Sequence, residues 1–187
     1  MSTRSEILVT AELLLRTKGY AAFSYGDLAD EVGIKKASVH HHFPTKEGLS
    51  IAIVESYLFR FKKSLVQIND DNVDVVARLR FFFVFFAEGS KNGMLPLCGA
   101  LAAELSVLPD RLKALTKMFF EIHLAWLENN LMTGQMANTV NAGINPKEVA
   151  RAILSVLEGS CYIAWALNEK MIDKSGFEMI LKSTTVS

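Results

Sequence analysis

The segment KKASVHHHFPTKEGL, residues 35–49, holds three of the chain's four histidines side by side, with Lys35, Lys36 and Lys46 around them. Such a group suits a metal site, a proton-transferring cluster or a surface that meets an acidic partner. On a helix, successive side chains diverge by about 100°. His40, His41 and His42 therefore fan around the axis and cannot close on one ion. Helical chelation wants ligands four apart, as in H-E-x-x-H. The fourth histidine is far off at His123, neither cysteine lies nearby, and no CxxC occurs. No metal site and no cofactor are expected. The sequence also lacks GxSxG, GxGxxG and Walker patterns, and its histidines have no triad context, so an enzyme is not expected.

The third reading needs elements that present the cluster. Thr3-Arg4-Ser5-Glu6 has capping-box spacing. Ile7, Leu8, Ala11, Leu14 and Leu15 follow at helical intervals, and Lys18-Gly19 ends the run. Ser24-Tyr25-Gly26-Asp27 opens a short second helix with Leu28, Ala29 and Val32 inward, stopped by Gly33. A third helix is expected over about 36–43. Pro44-Thr45 breaks the chain, and Thr45 caps a longer helix from Lys46 towards Gln67. Two short helices joined by a tight glycine turn meet the requirement of a helix-turn-helix. Val39 and Phe43, four apart, face its core. Ala37 and His41 then point outward, flanked by Ser38, His40 and His42. Lysine, histidine, hydroxyl and alanine suit a DNA groove. A solvated face with tolerated histidines has the same pattern, and spacing alone leaves both open.

The whole chain limits the remaining choices. Its 187 residues, half of them hydrophobic, can build a substantial core in one large domain or two small ones. Four prolines and many Leu, Ala, Lys and Glu lean towards helix. Formal net charge is zero. Residues 1–68 carry nine Lys/Arg against seven Asp/Glu, and residues 69–187 eleven against thirteen. Any DNA contact must come from a small local patch. MSTRSEIL lacks the apolar run of a signal peptide. The strongest apolar run, Phe81 to Ala87, is far short of a bilayer span. Two cysteines make no disulfide framework. A cytoplasmic protein with no membrane partner is expected.

Residues 3–57 resemble the DNA-binding domain of the TetR/AcrR family of transcriptional regulators. The likeness runs through ILVTAELLLRTKGYAAFSYGDLADEVGIKKASVHHHFPTKEGL: a first helix ending in K-G-Y, then D-L-A-x-E-V-G-I, A-S-V-x-x-H-F and P-x-K-E-x-L. The resemblance implies that Lys36 through His42 form the recognition helix. Lys36, Ala37 and His40 would fall at base-contacting positions, and Ser38, His41 and His42 at phosphate or mixed ones. Lys46 would be a phosphate contact at a helix N-terminus. Position 40 is often tyrosine in the family, so His40 is a departure that shortens the reach.

Beyond residue 68 the character changes. Asn72 in NDDNVDVV is expected to cap VARLRFFFVFFAEGS, whose five phenylalanines in six positions predict a helix buried nearly all round. Residues 93–97 read as a loop and CGALAAEL as a short helix. Pro109 opens a long helix, Asn145-Pro146-Lys147-Glu148 a strong one reaching about Asn168, and Asp173 or Ser175 the last. The expectation is all-α, about nine helices without a strand. It divides into a DNA-binding domain over 1–50, a connecting helix from 46 to about 67, and a second domain over 51–187.

An aromatic, Met-rich half reads either as plain core or as an apolar pocket. The resemblance implies an effector-binding and dimerisation domain. Pocket candidates are Phe82, Phe85, Phe86, Cys98, Leu101, Phe119, Trp126 and Tyr162. His123, one turn from Phe119 and Trp126, is either a satisfied core histidine or a group that orients a ligand. Ala152, Ser155, Val156 and Gly159 form a small-residue stripe suited to close helix approach. In the family the last two long helices pair with their symmetry mates, and a two-fold also supplies the second half-site of a palindrome.

The reading that follows is a homodimeric repressor on a palindromic double-stranded operator, released by an unknown small, largely apolar effector, with the helix from Lys46 as lever. Two alternatives stand beside it. GMLPLCGALAAEL is similar to a segment in one TetR-like branch where cysteines commonly precede the glycine, which raises thiol or electrophile sensing through Cys98. Pro96 rules out a vicinal pair there, and no clear cationic neighbour lowers the thiol pKa. The other alternative is a small-molecule carrier whose DNA module is vestigial.

Overall fold

A computed structural model describes residues 2–72, 74–91 and 94–186. Among the described residues the chain forms nine α-helices, one 3-10 turn (Leu105–Val107) and no strand, as the helical periodicity predicts. The helices are α1 Thr3–Thr17, α2 Tyr25–Val32, α3 Lys36–His42, α4 Lys46–Asp71, α5 Val75–Gly89, α6 Leu97–Ala103, α7 Asp110–Met136, α8 Pro146–Ala166 and α9 Ser175–Thr184. An isolated antiparallel bridge joins Val140 and Thr185.

Helix boundaries follow side chains that satisfy terminal backbone groups. Ser24 and Asp27 form a reciprocal capping box on α2. Gly33 ends that helix with φ 75°, a left-handed conformation that glycine adopts without Cβ strain. Thr45 Oγ1 accepts from the Gly48 amide at 3.0 Å, and Asn145 accepts from the Lys147 amide ahead of Pro146.

Several boundaries differ from expectation. Ser2, not Thr3, caps α1, accepting from the Ser5 amide at 3.3 Å. Asn72 does not cap α5. Its Nδ2 donates back to the Ile68 carbonyl at 2.9 Å, and Asp74 caps α5 through the Ala77 amide. α4 extends four residues past Gln67, whose side chain donates to Asp71 at 2.7 Å. α8 stops at Ala166 because Asn168 turns left-handed (φ 56°) and the Glu169 amide bonds the Ala164 carbonyl, a Schellman-type end made with asparagine. Of the expected loop at 93–97, Gly93 lies outside the described residues and Leu97 already begins α6.

Packing divides the chain into two compact units, neither continuous in sequence. One comprises Met1–Arg60 and Met94–Phe119, the other Phe61–Gly93 and Phe120–Ser187. Both α4 and α7 contribute residues to each. In the first unit α1 packs on α2 and α6, and α2 on α3, around Ile7, Leu15, Leu28, Val39, Leu49 and Ile53. In the second, α8 packs on α9 and α5 around Leu79, Phe82, Leu127, Leu157 and Phe177.

α5 is not buried all round. Phe82 and Phe86 are, but Phe83 and Phe85 are half-buried, and Phe81 and Val84 are 53% and 51% exposed. A helix packed on one side buries one stripe only, whatever the hydrophobicity of its other faces.

Candidate nucleic-acid interface

α3 is held from beneath by Val39 and Phe43, both buried. The Tyr25 hydroxyl donates to the Phe43 carbonyl at 2.8 Å, and burial pushes that phenol up to about 12. The same ring meets the His40 imidazole edge-on, centroids 4.7 Å apart. With these anchors fixed, Lys36, Ala37, His40 and His41 are exposed, while Ser38 and His42 are half-buried at the flanks. His41 and His42 contact each other edge-to-face at 5.4 Å. Among the described residues no His/Cys/Asp/Glu group could hold a metal ion.

Lys46 lies differently from the other candidates. Its ammonium donates to the Phe23 carbonyl at 2.6 Å and reaches the Ala21 carbonyl at 3.4 Å, over the rings of Tyr20 and Phe23. Burial holds its pKa below the usual lysine value. It braces the α1–α2 connection from the first residue of α4.

Two further residues carry no motif. Arg4 is exposed in the first turn of α1, its guanidinium 5.0 Å from the Phe43 ring centroid. Glu104, just past α6, accepts from the Tyr20 and Ala21 amides at 2.8 and 2.7 Å. Gly19 makes room for that carboxylate, since its own Cβ would lie 1.9 Å from Glu104 Oε1. Arg16 Nε adds a bond to the Leu95 carbonyl at 2.8 Å. Only the tertiary fold reveals the Glu104 bonds, whose partners are more than eighty residues apart in the chain.

In the second unit Phe82, Phe86, His123 and Trp126 come together. Phe82 stacks on Trp126 with centroids 5.0 Å apart, and His123 stacks on Phe61 at 4.1 Å and meets Phe82 and Phe86 edge-on. Phe85 joins through Phe61 at 5.8 Å. The Trp126 indole N–H is buried and finds no acceptor. Cys98, Leu101 and Phe119 are buried in the first unit, where Phe119 meets Tyr57 at 5.5 Å. Cys98 and Cys161 are both buried and form no disulfide. Tyr162 is half-buried on α8, its phenol raised by burial and by nearby Glu158.

On the outer side of α8, Ala152 and Ser155 are exposed, and Val156 and Gly159 are half-covered. Beside them a groove of about 300 Å³ is lined by Phe120 and Leu124 of α7 and by Arg151, Leu154, Ser155 and Glu158 of α8. Burial pushes the Glu158 carboxyl up to about 7, and both its oxygens are shielded without a hydrogen-bond partner.

A three-helix head that presents its second short helix as a polar face defines the helix-turn-helix class of DNA-binding regulator. The model of the bacterial regulatory proteins of the tetR family matches residues 7–53. The nucleoid occlusion factor SlmA of Vibrio campbellii is 30% identical over 166 residues, covering 84% of this chain and 81% of that protein. The transcriptional regulator AcuR of Cereibacter sphaeroides is 27% identical over 150 residues, covering 78% of this chain and 68% of that protein. A TetR-family regulator from Agrobacterium tumefaciens superposes with a TM-score of 0.88 at 25% identity, covering 98% and 97% of the two chains. A TetR regulator from Legionella pneumophila gives 0.83 at 27%, covering 98% and 95%. The chain belongs to the TetR family, and it is a DNA-binding transcription regulator rather than an enzyme.

Proposed function

We propose that the chain is a homodimeric, ligand-responsive repressor of a palindromic operator, acting in the cytoplasm. The observation that carries this reading is the α3 face: side chains suited to DNA stand exposed on a helix whose opposite side is pinned by Val39 and Phe43. Lys36, Ala37 and His40 read bases, while Ser38, His41 and His42 contact phosphates or mixed positions. Arg4 adds a cation at the edge of the face. Lys46 stands at the N-terminus of α4, whose amides favour a phosphate, and its ammonium holds the loop beneath.

The effector is small and largely apolar, taken among Phe82, Phe85, Phe86, His123, Trp126 and Tyr162 of the second unit. The unpartnered Trp126 N–H favours a molecule with one hydrogen-bond acceptor. Release requires the effector to favour a conformation in which the two recognition helices no longer match the half-sites. α4, which contributes to both compact units, is the proposed lever. The complete burial of Cys98 supports a non-covalent effector over a thiol-sensing one.

Gel-shift titration with the promoter fragment beside the chain's own gene tests the reading. Lys36→Ala and His41→Ala should each lower specific affinity by about 1–3 kcal/mol, with the melting temperature nearly unchanged. Sequence-indifferent association, or undiminished affinity in both variants, would overturn it. Release by the natural effector should survive Cys98→Ser; its loss would favour the thiol-sensing alternative.

A further inference from the structure

α8 is long and apolar enough to span a bilayer, yet only 33% of that stretch is buried within the chain. Its uncovered face carries Ala152, Ser155 and Ile163, the last 60% exposed, and neighbouring α9 exposes Met179. On the flank towards α7 lies the groove that holds Glu158 and Arg151. A shielded carboxylate without a partner is costly, and native structures rarely leave one so. No ion pair joins it to Arg151 of its own chain, nor does any other described residue serve it.

Seven residues separate Arg151 from Glu158, nearly two helical turns, so both lie on the same flank about 10 Å apart along the axis. When a helix crosses its own copy antiparallel about a two-fold, each flank faces the same flank of the mate. With the axis near Ser155, a residue four before it comes level with one three or four after it. Arg151 of one copy then stands opposite Glu158 of the other. The small residues Ala152, Ser155 and Gly159 permit the short interaxial distance this needs.

We propose that a second copy of this chain completes the α7–α8 groove, its Arg151 pairing with Glu158 and the two-fold generating the reciprocal pair. Turning the carboxylate towards the groove it already lines brings it within reach of that guanidinium. The inference rests on the homodimer reading and adds the residues that make the pairing self-selective. A bilayer is the less favourable cover for this face, because hydrocarbon offers the Arg151 charge no partner.

Sedimentation velocity on full-length Arg151→Glu and Glu158→Arg variants tests the pair, with circular dichroism reporting helix content. Each variant alone places like charges opposite each other, and its dimer affinity should fall at least tenfold. An equimolar mixture of the two restores both attractive pairs and should sediment as a heterodimer. The double variant R151E/E158R should recover a homodimer. If either single variant fails to fold, the double variant decides: a wild-type dimer supports the pair, and a folded monomer overturns it. Single variants that dimerise like wild type overturn the pair while leaving the homodimer reading intact. A wild-type chain that is monomeric at every concentration overturns both. Flotation of the wild-type chain with phosphatidylcholine vesicles would overturn it in favour of a bilayer.

Discussion

α3 and α5 stand at opposite extremes of composition, and their exposure teaches a common lesson. α3 is polar apart from Val39 and Ala37, yet one buried valine and the Phe43 cap define which side turns outward. α5 is apolar around nearly its whole circumference, and its sequence leaves the buried side undetermined. Packing buries Leu79, Phe82 and Phe86 and leaves Phe81 and Val84 exposed. A sparse apolar signal thus orients a helix more sharply than a saturated one. Only contrast along the helix distinguishes one face from another.

The sharpest test of this contrast lies within α5. Phe82→Ala removes a fully buried ring stacked on Trp126, and should cost about 3–5 kcal/mol in urea unfolding. Phe81→Ala, one position away, should stay within about 0.5 kcal/mol. Equal losses would mean that the face bearing Phe81 is covered too.

A smaller effect separates two lysines that the sequence places in the same basic segment. Lys46→Ala removes a charged donor from the Phe23 carbonyl and should destabilise the head by about 1–2 kcal/mol, lowering the melting temperature as well as operator binding. Lys36→Ala should lower binding alone. Matched melting temperatures in the two variants would return Lys46 to a purely surface role.

The last expected effect is a slope with pH. Burial raises Glu158 from its ordinary 4.5 to about 7, so in separate chains the folded form holds its proton more tightly than the unfolded form. That stability is fully present below about pH 4.5 and is lost as pH rises through 7. In dilute solution, Glu158→Gln should flatten this part of the stability profile. An identical slope in both proteins would assign it to another group.

Much of the head is legible because its signals are local. Ser24 with Asp27, Gly33, Thr45 and Asn145-Pro146 satisfy or release backbone groups within a few residues, so their meaning survives without a fold. Errors arise where two local candidates compete. Asn72 and Asp74 both suit a cap, and the nearer carbonyl of Ile68 takes the asparagine. Thr3 and Ser2 compete likewise, one residue apart. Asn168 ends α8 in a left-handed turn that a glycine would have announced. Among the pocket candidates, Phe82, Phe86, His123 and Trp126 share helical periodicities that already suggest a common side.

The order of helices, their caps and the polar character of α3 are properties of neighbouring residues, and the chain's letters alone determine them. The direction of a long side chain is a different matter. Lys46 reads as a surface cation, but its ammonium settles on carbonyls more than twenty residues earlier. Glu104 reads as an ordinary helix-end carboxylate, yet it meets the amides of Tyr20 and Ala21 across more than eighty residues. Glu158 lies on a flank that no periodicity marks as closed. Each outcome depends on which distant backbone or side chain arrives beside the charge, and only tertiary packing decides that, because desolvation and pairing are set by the assembled neighbourhood rather than by residue type.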